Sequence, residues 1–221
     1  MKERPILFSG EMARAVLDGR KTQTRQPIKP QPELGKPWKW WVVDDLEMDI
    51  PIALCPYGIP GDRLWVREKF SKHVRLSDPY YLPPDYPDAA MGAWYWADGN
   101  PTWGDWEKPR PSIHMPRWAS RITLEVTDVR VERVQEISYD DTLKEGVIET
   151  GNASAKTWED AEISGVVRRQ YVDSKGRRCM MFGAKAQFAN LWDSIYSQRG
   201  YGWDANPWVW VVEFVASEDW R

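Results

Sequence analysis

Apolar positions change period along the chain, and each change marks an element. Pro5-Ile-Leu-Phe8 is a short continuous apolar run, which predicts a buried strand. Ser9 follows as a helix cap, and Met12, Val16 and Leu17 share one face of the helix it opens, which ends at Gly19. Gly19 suits the left-handed position after a helix, so the chain turns sharply into Arg20–Arg25. Pro60-Gly61-Asp62 is a turn, and residues 63–68 alternate after it as a strand does. Residues 121–134 carry the strongest strand pattern: Ile122, Leu124 and Val126 point one way, and Thr123, Glu125 and Thr127 the other. The phase slips near Asp128, where a bend or bulge is expected. Ser138, with Asp141 three residues on, opens a short helix through Leu143 to Gly146. Phe188, Leu191, Trp192 and Ile195 recur at helical spacing within residues 184–198. Trp208, Trp210, Val212 and Phe214 then share one face of a final strand over 208–215.

Between these elements the pattern dissolves. Residues 27–60 hold seven prolines, which rules out a long regular element and predicts an excursion pinned by Trp38, Trp40 and Trp41. Within residues 71–117 only Ala93–Ala97 reads as a strand, and 149–180 reads as a hairpin or mobile insertion. The expectation is α+β: a mostly β core with three helices in a single domain over 1–221.

Composition narrows the function. Fifteen tryptophans in 221 residues suit core and loop anchors, and also base stacking on an exposed face. A net charge of -3 argues against indiscriminate binding along nucleic acid, which needs many cations on phosphates, but allows one basic groove or a small substrate. Cys55 and Cys179 form no CxxC, so neither a zinc site nor a disulfide framework is indicated and a reducing cytoplasm is expected. The N-terminus lacks the apolar centre of a signal peptide, and no apolar run approaches the roughly 18 residues of a membrane helix.

His73 and His114 are the only histidines, which leaves little for a Ser-His-Asp or Cys-His arrangement or for a His-rich metal centre; no metal or cofactor is expected. Lys21-Thr22-Gln23-Thr24-Arg25 then stands out. A lysine among cations and partly desolvated can act as a base, and a threonine hydroxyl becomes a nucleophile once such a base takes its proton. Arg20 and Arg25 flank the pair and suit a phosphate or oxyanion. The same cations also fit a purely structural role, satisfying the carbonyls and dipole of a helix end. Glu145 joins this chemistry only if the fold brings it to Lys21 and Thr24. Arg67-Glu68, at the end of its strand, is either a substrate contact or an exposed ion pair.

The order of these parts resembles the ASCH domain, a branch of the PUA-like β-barrels associated with RNA. The resemblance rests on a helix leading into Gly19-Arg-Lys21-Thr-Gln-Thr24-Arg25, then Pro60-Gly61-Asp62 with its strand, the long strand 121–134, the helix ending at Glu145 and the closing strand. It implies a small β-barrel with insertions near 31–56, 71–117 and 149–180. Cys55-Pro-Tyr-Gly58, Ile113-His-Met-Pro116 and Gly200-Tyr-Gly-Trp-Asp-Ala-Asn-Pro207 are similar to ASCH-like proteins of phages and prophages.

One ASCH branch, the N4-acetylcytidine amidohydrolases, removes an acyl group from the exocyclic amine of the base. Its catalytic Lys and Thr fall on Lys21 and Thr24 through the shared G-x-K-x-x-T turn, and its catalytic Glu falls on Glu145. The resemblance therefore implies a nucleoside, nucleotide or RNA ligand and amide hydrolysis, and Arg20, Arg25, Arg67 and Glu68, singled out above from the residues themselves, are the candidate substrate contacts. A non-enzymatic RNA-binding module, a ribonuclease and a phage protein that binds a host partner are alternatives compatible with the same domain.

Overall fold

The computed structural model describes residues 1–32, 37–38, 41–42, 52–74, 92–102, 104–148, 168–172 and 176–217. Trp40 and residues 149–167, named above within insertions, lie outside the described residues. The described elements run β1 (Glu3–Leu7), α1 (Gly10–Leu17), β2 (Gln23–Pro27), β3 (Pro37–Trp38), β4 (Trp41–Val42), β5 (Arg63–Arg67), β6 (Phe70–Lys72) and β7 (Ala93–Tyr95). They continue with β8 (Thr123–Arg133), α2 (Tyr139–Lys144), β9 (Arg168–Val172), β10 (Arg178–Phe182), α3 (Gly183–Tyr196) and β11 (Trp208–Ala216). The arrangement is mixed α+β, with three α-helices among the described residues.

The long strands form one sheet in the order β1-β5-β8-β11-β2, parallel only at β1 with β5. β3 with β4, β6 with β7, and β9 with β10 are separate two-stranded ladders. Among the described residues β1 and β2 stand at opposite edges and no ladder joins them, so the closed barrel expected from the resemblance is here an open sheet. The slip near Asp128 is a β-bulge. Glu213 faces Asp128 and Phe214 faces Val126, which leaves Thr127 as the extra residue of β8.

β11 is apolar on both faces because it separates two cores. Trp210, Val212 and Phe214 pack with Ile6, Phe8, Leu64, Val66 and Leu124 beneath α1. Val209 and Val211 face Phe188, Trp192 and Trp203 beside α3. Each such side chain contributes roughly 1.5–3 kcal/mol by leaving water. Trp192, Trp203 and Trp210 are buried anchors, whereas Trp118 is 45% exposed. The strand expected over Ala93–Ala97 stops at Tyr95 and becomes a 3-10 turn over Trp96–Asp98. There the Trp96 N–H donates to the Lys69 carbonyl and its indole to the Ser71 hydroxyl, and Gly99 at φ +101° ends the turn.

Candidate functional site

Two helix ends meet to build the site. α1 closes with Gly19 at φ +71°, and the N–H groups of Arg20 and Lys21 both donate to the Ala15 carbonyl, at 2.8 and 2.9 Å. α2 is opened by the Ser138 hydroxyl, which accepts from the Asp141 N–H, and it closes on Glu145 with Gly146 at φ +87°. Gly146 is held against α1: a Cβ there would lie 2.9 Å from the Ala15 Cβ and 3.1 Å from the Lys21 Cβ. Lys21 and Glu145 form an isolated antiparallel bridge, and the Thr22 N–H donates to the Lys144 carbonyl.

Side chains complete the junction. The Lys21 Nζ donates to Glu145 Oε2 at 2.7 Å, to the Glu145 carbonyl at 3.0 Å and to the Gln23 carbonyl at 2.8 Å. Three acceptors match the three donors of an ammonium. Lys21 is 2% exposed and Glu145 6%, and the Phe8 ring centroid stands 5.6 Å from Nζ.

Arg25 lies beside this pair with a fully buried guanidinium. It donates to Glu145 Oε1 at 3.2 Å, Glu132 Oε2 at 3.0 Å, Asp141 Oδ2 at 3.2 Å and the Gln23 Oε1 at 2.6 Å. Arg130 extends the network to Glu132, Asp141 and Glu213. Gln23 spans it, donating to Asp141 Oδ1 and Glu213 Oε1. Burial alone would raise the Asp141 carboxyl, but Ser138, Arg25, Gln23 and Arg130 hold it below its ordinary value. Glu213 is likewise lowered, because Arg130, Gln23 and Lys144 outweigh its burial.

Alternation decides which residues share a face. Gln23 and Arg25 pair with Glu213 and Val211, so they join the α2 and α3 side of the sheet. Thr24 pairs with Val212 and Gln26 with Trp210, so both lie on the opposite face. Thr24 is 2% exposed, and its hydroxyl makes no hydrogen bond among the described residues. The Gln26 Oε1 accepts from the phenols of Tyr196 at 2.9 Å and Tyr57 at 3.4 Å. Burial pushes Tyr57 up to about 12, and burial with the charges of Tyr57 and Glu145 pushes Tyr196 upward too.

Of the residues singled out by sequence, Lys21, Glu145 and Arg25 are in direct contact. Arg25, expected to face substrate, faces three carboxylates instead. Arg20 is partly exposed and donates to the Gly146 carbonyl and Asp18. Arg67 donates to the Ile113 carbonyl and lies over the Trp65 ring. Glu68, expected as a substrate contact or half of an exposed ion pair, is 1% exposed and pairs with Arg121, which also holds Asp98 and lies 4.0 Å from the Tyr95 ring centroid. Gln23, Arg130, Glu132 and Glu213 were not anticipated. The one signal for Arg130 and Glu132 was charge recurring at every second position of β8 after the bulge, which reads as a solvated strand face until α2 covers it.

A cleft of about 430 Å³ opens between α1, the Glu145–Ile148 segment and α3; neither Lys21 nor Thr24 lines it. Among the described residues no group of three or more His, Cys, Asp or Glu is arranged to hold a metal, and no helix is long and apolar enough to cross a membrane. Neither Cys55 nor Cys179 is in a disulfide. No protein family, curated protein or solved structure matches the chain.

Proposed function

We propose that this chain is an ASCH-type protein of PUA-like fold and a hydrolase that cleaves an amide on a modified nucleoside, of the N4-acylcytidine kind. The Lys21–Glu145 contact carries the proposal: a buried 2.7 Å ion pair joins two segments to which the ASCH resemblance assigns one reaction. Such a pair costs desolvation that apolar packing avoids, so its retention favours a chemical role. Thr24 faces the core that holds Phe8, whose ring lies 5.6 Å from the Lys21 Nζ, so both groups border that core.

In the reaction, the Lys21 ammonium passes a proton to Glu145 Oε2 along their hydrogen bond and becomes a neutral amine. That amine takes the Thr24 hydroxyl proton as the oxygen bonds to the acyl carbon. The amide C–N bond then breaks, its nitrogen takes a proton from Lys21, and the acyl group remains on Thr24 as an ester. Water, deprotonated by Lys21, attacks the ester. Thr24 leaves with the proton held by Lys21, Glu145 returns its own proton to the amine, and the acid product loses one to solvent. Arg25 acts at one remove, fixing the Glu145 carboxylate through Oε1.

The test is incubation with N4-acetylcytidine and detection of cytidine. Wild-type protein is expected to release it, and Lys21→Ala and Glu145→Gln protein to release far less. Equal release by wild type and Lys21→Ala rejects the reaction.

A non-enzymatic RNA-binding module has its own support. The Lys21 ammonium is saturated, and neither Lys21 nor Thr24 lines the cleft. Here the buried network is scaffold and exposed cations such as Arg20 grip phosphate. RNA affinity would then fall steeply with salt and with Arg20→Ala, without turnover.

A further inference from the structure

The cleft beside the joined helix ends has a size typical of small-molecule sites, and its walls differ in chemistry. Arg14 and Arg20 line it together with the apolar side chains of Met12, Ile148 and Leu191. Ile148 is 62% exposed, an apolar surface at the cleft mouth. The Arg14 guanidinium makes no hydrogen bond or ion pair among the described residues. Arg20 is oriented by the Gly146 carbonyl at 3.0 Å and Asp18 at 2.9 Å, which occupy two of its five donors.

We propose that this cleft binds a nucleoside monophosphate group, with the phosphate on Arg14 and Arg20 and the base against Met12, Ile148 and Leu191; the identity of the base rests on the nucleoside reading above. Two guanidinium groups with unused donors suit a dianion with several acceptor oxygens. A flat heterocycle suits the apolar wall, and the volume accommodates both parts. Glu11 also lines the cleft, from the first turn of α1, so the anion belongs at the opposite end with Arg20. Glu145 and Gly146 both form part of the lining while Lys21 and Thr24 do not, so the ligand sits beside the Lys21–Glu145 pair on its Glu145 side. The site therefore captures the phosphate-bearing part of a substrate and not the reacting bond.

Calorimetric titration of the full-length Thr24→Val protein with 5′-cytidine monophosphate, cytidine and inorganic phosphate tests this without any turnover. The monophosphate is expected to bind about tenfold or more tightly than either fragment, and more weakly as salt rises. Arg14→Ala with Arg20→Ala should remove that margin, and Ile148→Asp should weaken the monophosphate while sparing phosphate. Equal affinity for cytidine and its monophosphate, or no change in the double arginine variant, overturns the anion site. Phosphate binding as tightly as the monophosphate, or no effect of Ile148→Asp, overturns the apolar wall. A 5′-phosphorylated oligoribonucleotide that outcompetes the mononucleotide assigns the group to an RNA end; the reverse order assigns it to a free nucleotide. Failure of amide hydrolysis with retained monophosphate binding rejects the reaction alone.

Discussion

Lys21 and Glu145 stand 124 residues apart and are joined both by a backbone bridge and by a 2.7 Å contact between Nζ and Oε2. The two ends of that contact are not equivalent. Glu145 also accepts from Arg25, so its carboxylate keeps a cation when Lys21 is lost. Lys21 has no second carboxylate among its described hydrogen-bond partners. Glu145→Ala is therefore expected to cost more than Lys21→Met, on the order of 3–5 kcal/mol for a broken buried pair. Urea unfolding of the two variants checks the ranking, and equal losses would show that Arg25 does not compensate.

Gly146→Ala and Gly19→Ala form a matched comparison. Both glycines have positive φ, at +87° and +71°, so each substitution carries the backbone strain of a left-handed alanine, about 1 kcal/mol. Gly19 has nothing within 4 Å of an added Cβ, whereas at Gly146 that atom meets Ala15 at 2.9 Å and Lys21 at 3.1 Å. Gly19→Ala should lose only the strain. Gly146→Ala should lose roughly 1–3 kcal/mol more by overpacking, and should push Lys21 away from Glu145. Unfolding midpoints measure the first effect, and loss of any Lys21-dependent turnover or ligand binding the second.

What the sequence disclosed follows from how local each signal is. The Ser9 and Ser138 caps, Gly19, the slip at Asp128 and the alternation in β11 are decided within a few residues, and all are found where the pattern put them. The Arg25 environment is not local. Its carboxylates come from β8, α2 and the residue after α2, and only tertiary packing tells a buried arginine from an exposed one. The Glu68 environment is equally non-local, because its partner Arg121 lies 53 positions away. Residues 23–27 form a strand rather than part of the turn expected over 20–25, which is why Thr24 and Arg25 point to opposite faces.

Acid should weaken the fold through the same network. Asp141 and Glu213 have lowered values in the folded chain, so unfolding raises their proton affinity. Their stabilisation is present above the unfolded carboxylate values, near pH 4, and is lost as pH falls through the lower folded values. Stability should decline from about pH 4.5 downward. Asp141→Asn together with Glu213→Gln should flatten that decline while lowering stability at neutral pH. An unchanged slope in the double variant would assign acid sensitivity to other carboxylates.

Thr24 allows packing and chemistry to be separated in one residue. Its side chain faces Val212 in the first core, it is 2% exposed, and its hydroxyl makes no hydrogen bond among the described residues. Thr24→Val keeps the shape and β-branch while removing a hydroxyl that makes no hydrogen bond among the described residues, so the fold should be about as stable. Thr24→Ser keeps the hydroxyl and removes one methyl group, which should cost about 1 kcal/mol. If Thr24 is the nucleophile, turnover runs the other way: Thr24→Ser retains it and Thr24→Val abolishes it. Stability and turnover are then anticorrelated across the two variants. A residue that only packs would show both falling together in Thr24→Ser and both surviving in Thr24→Val. Urea midpoints and cytidine release measured on the same preparations decide between these patterns.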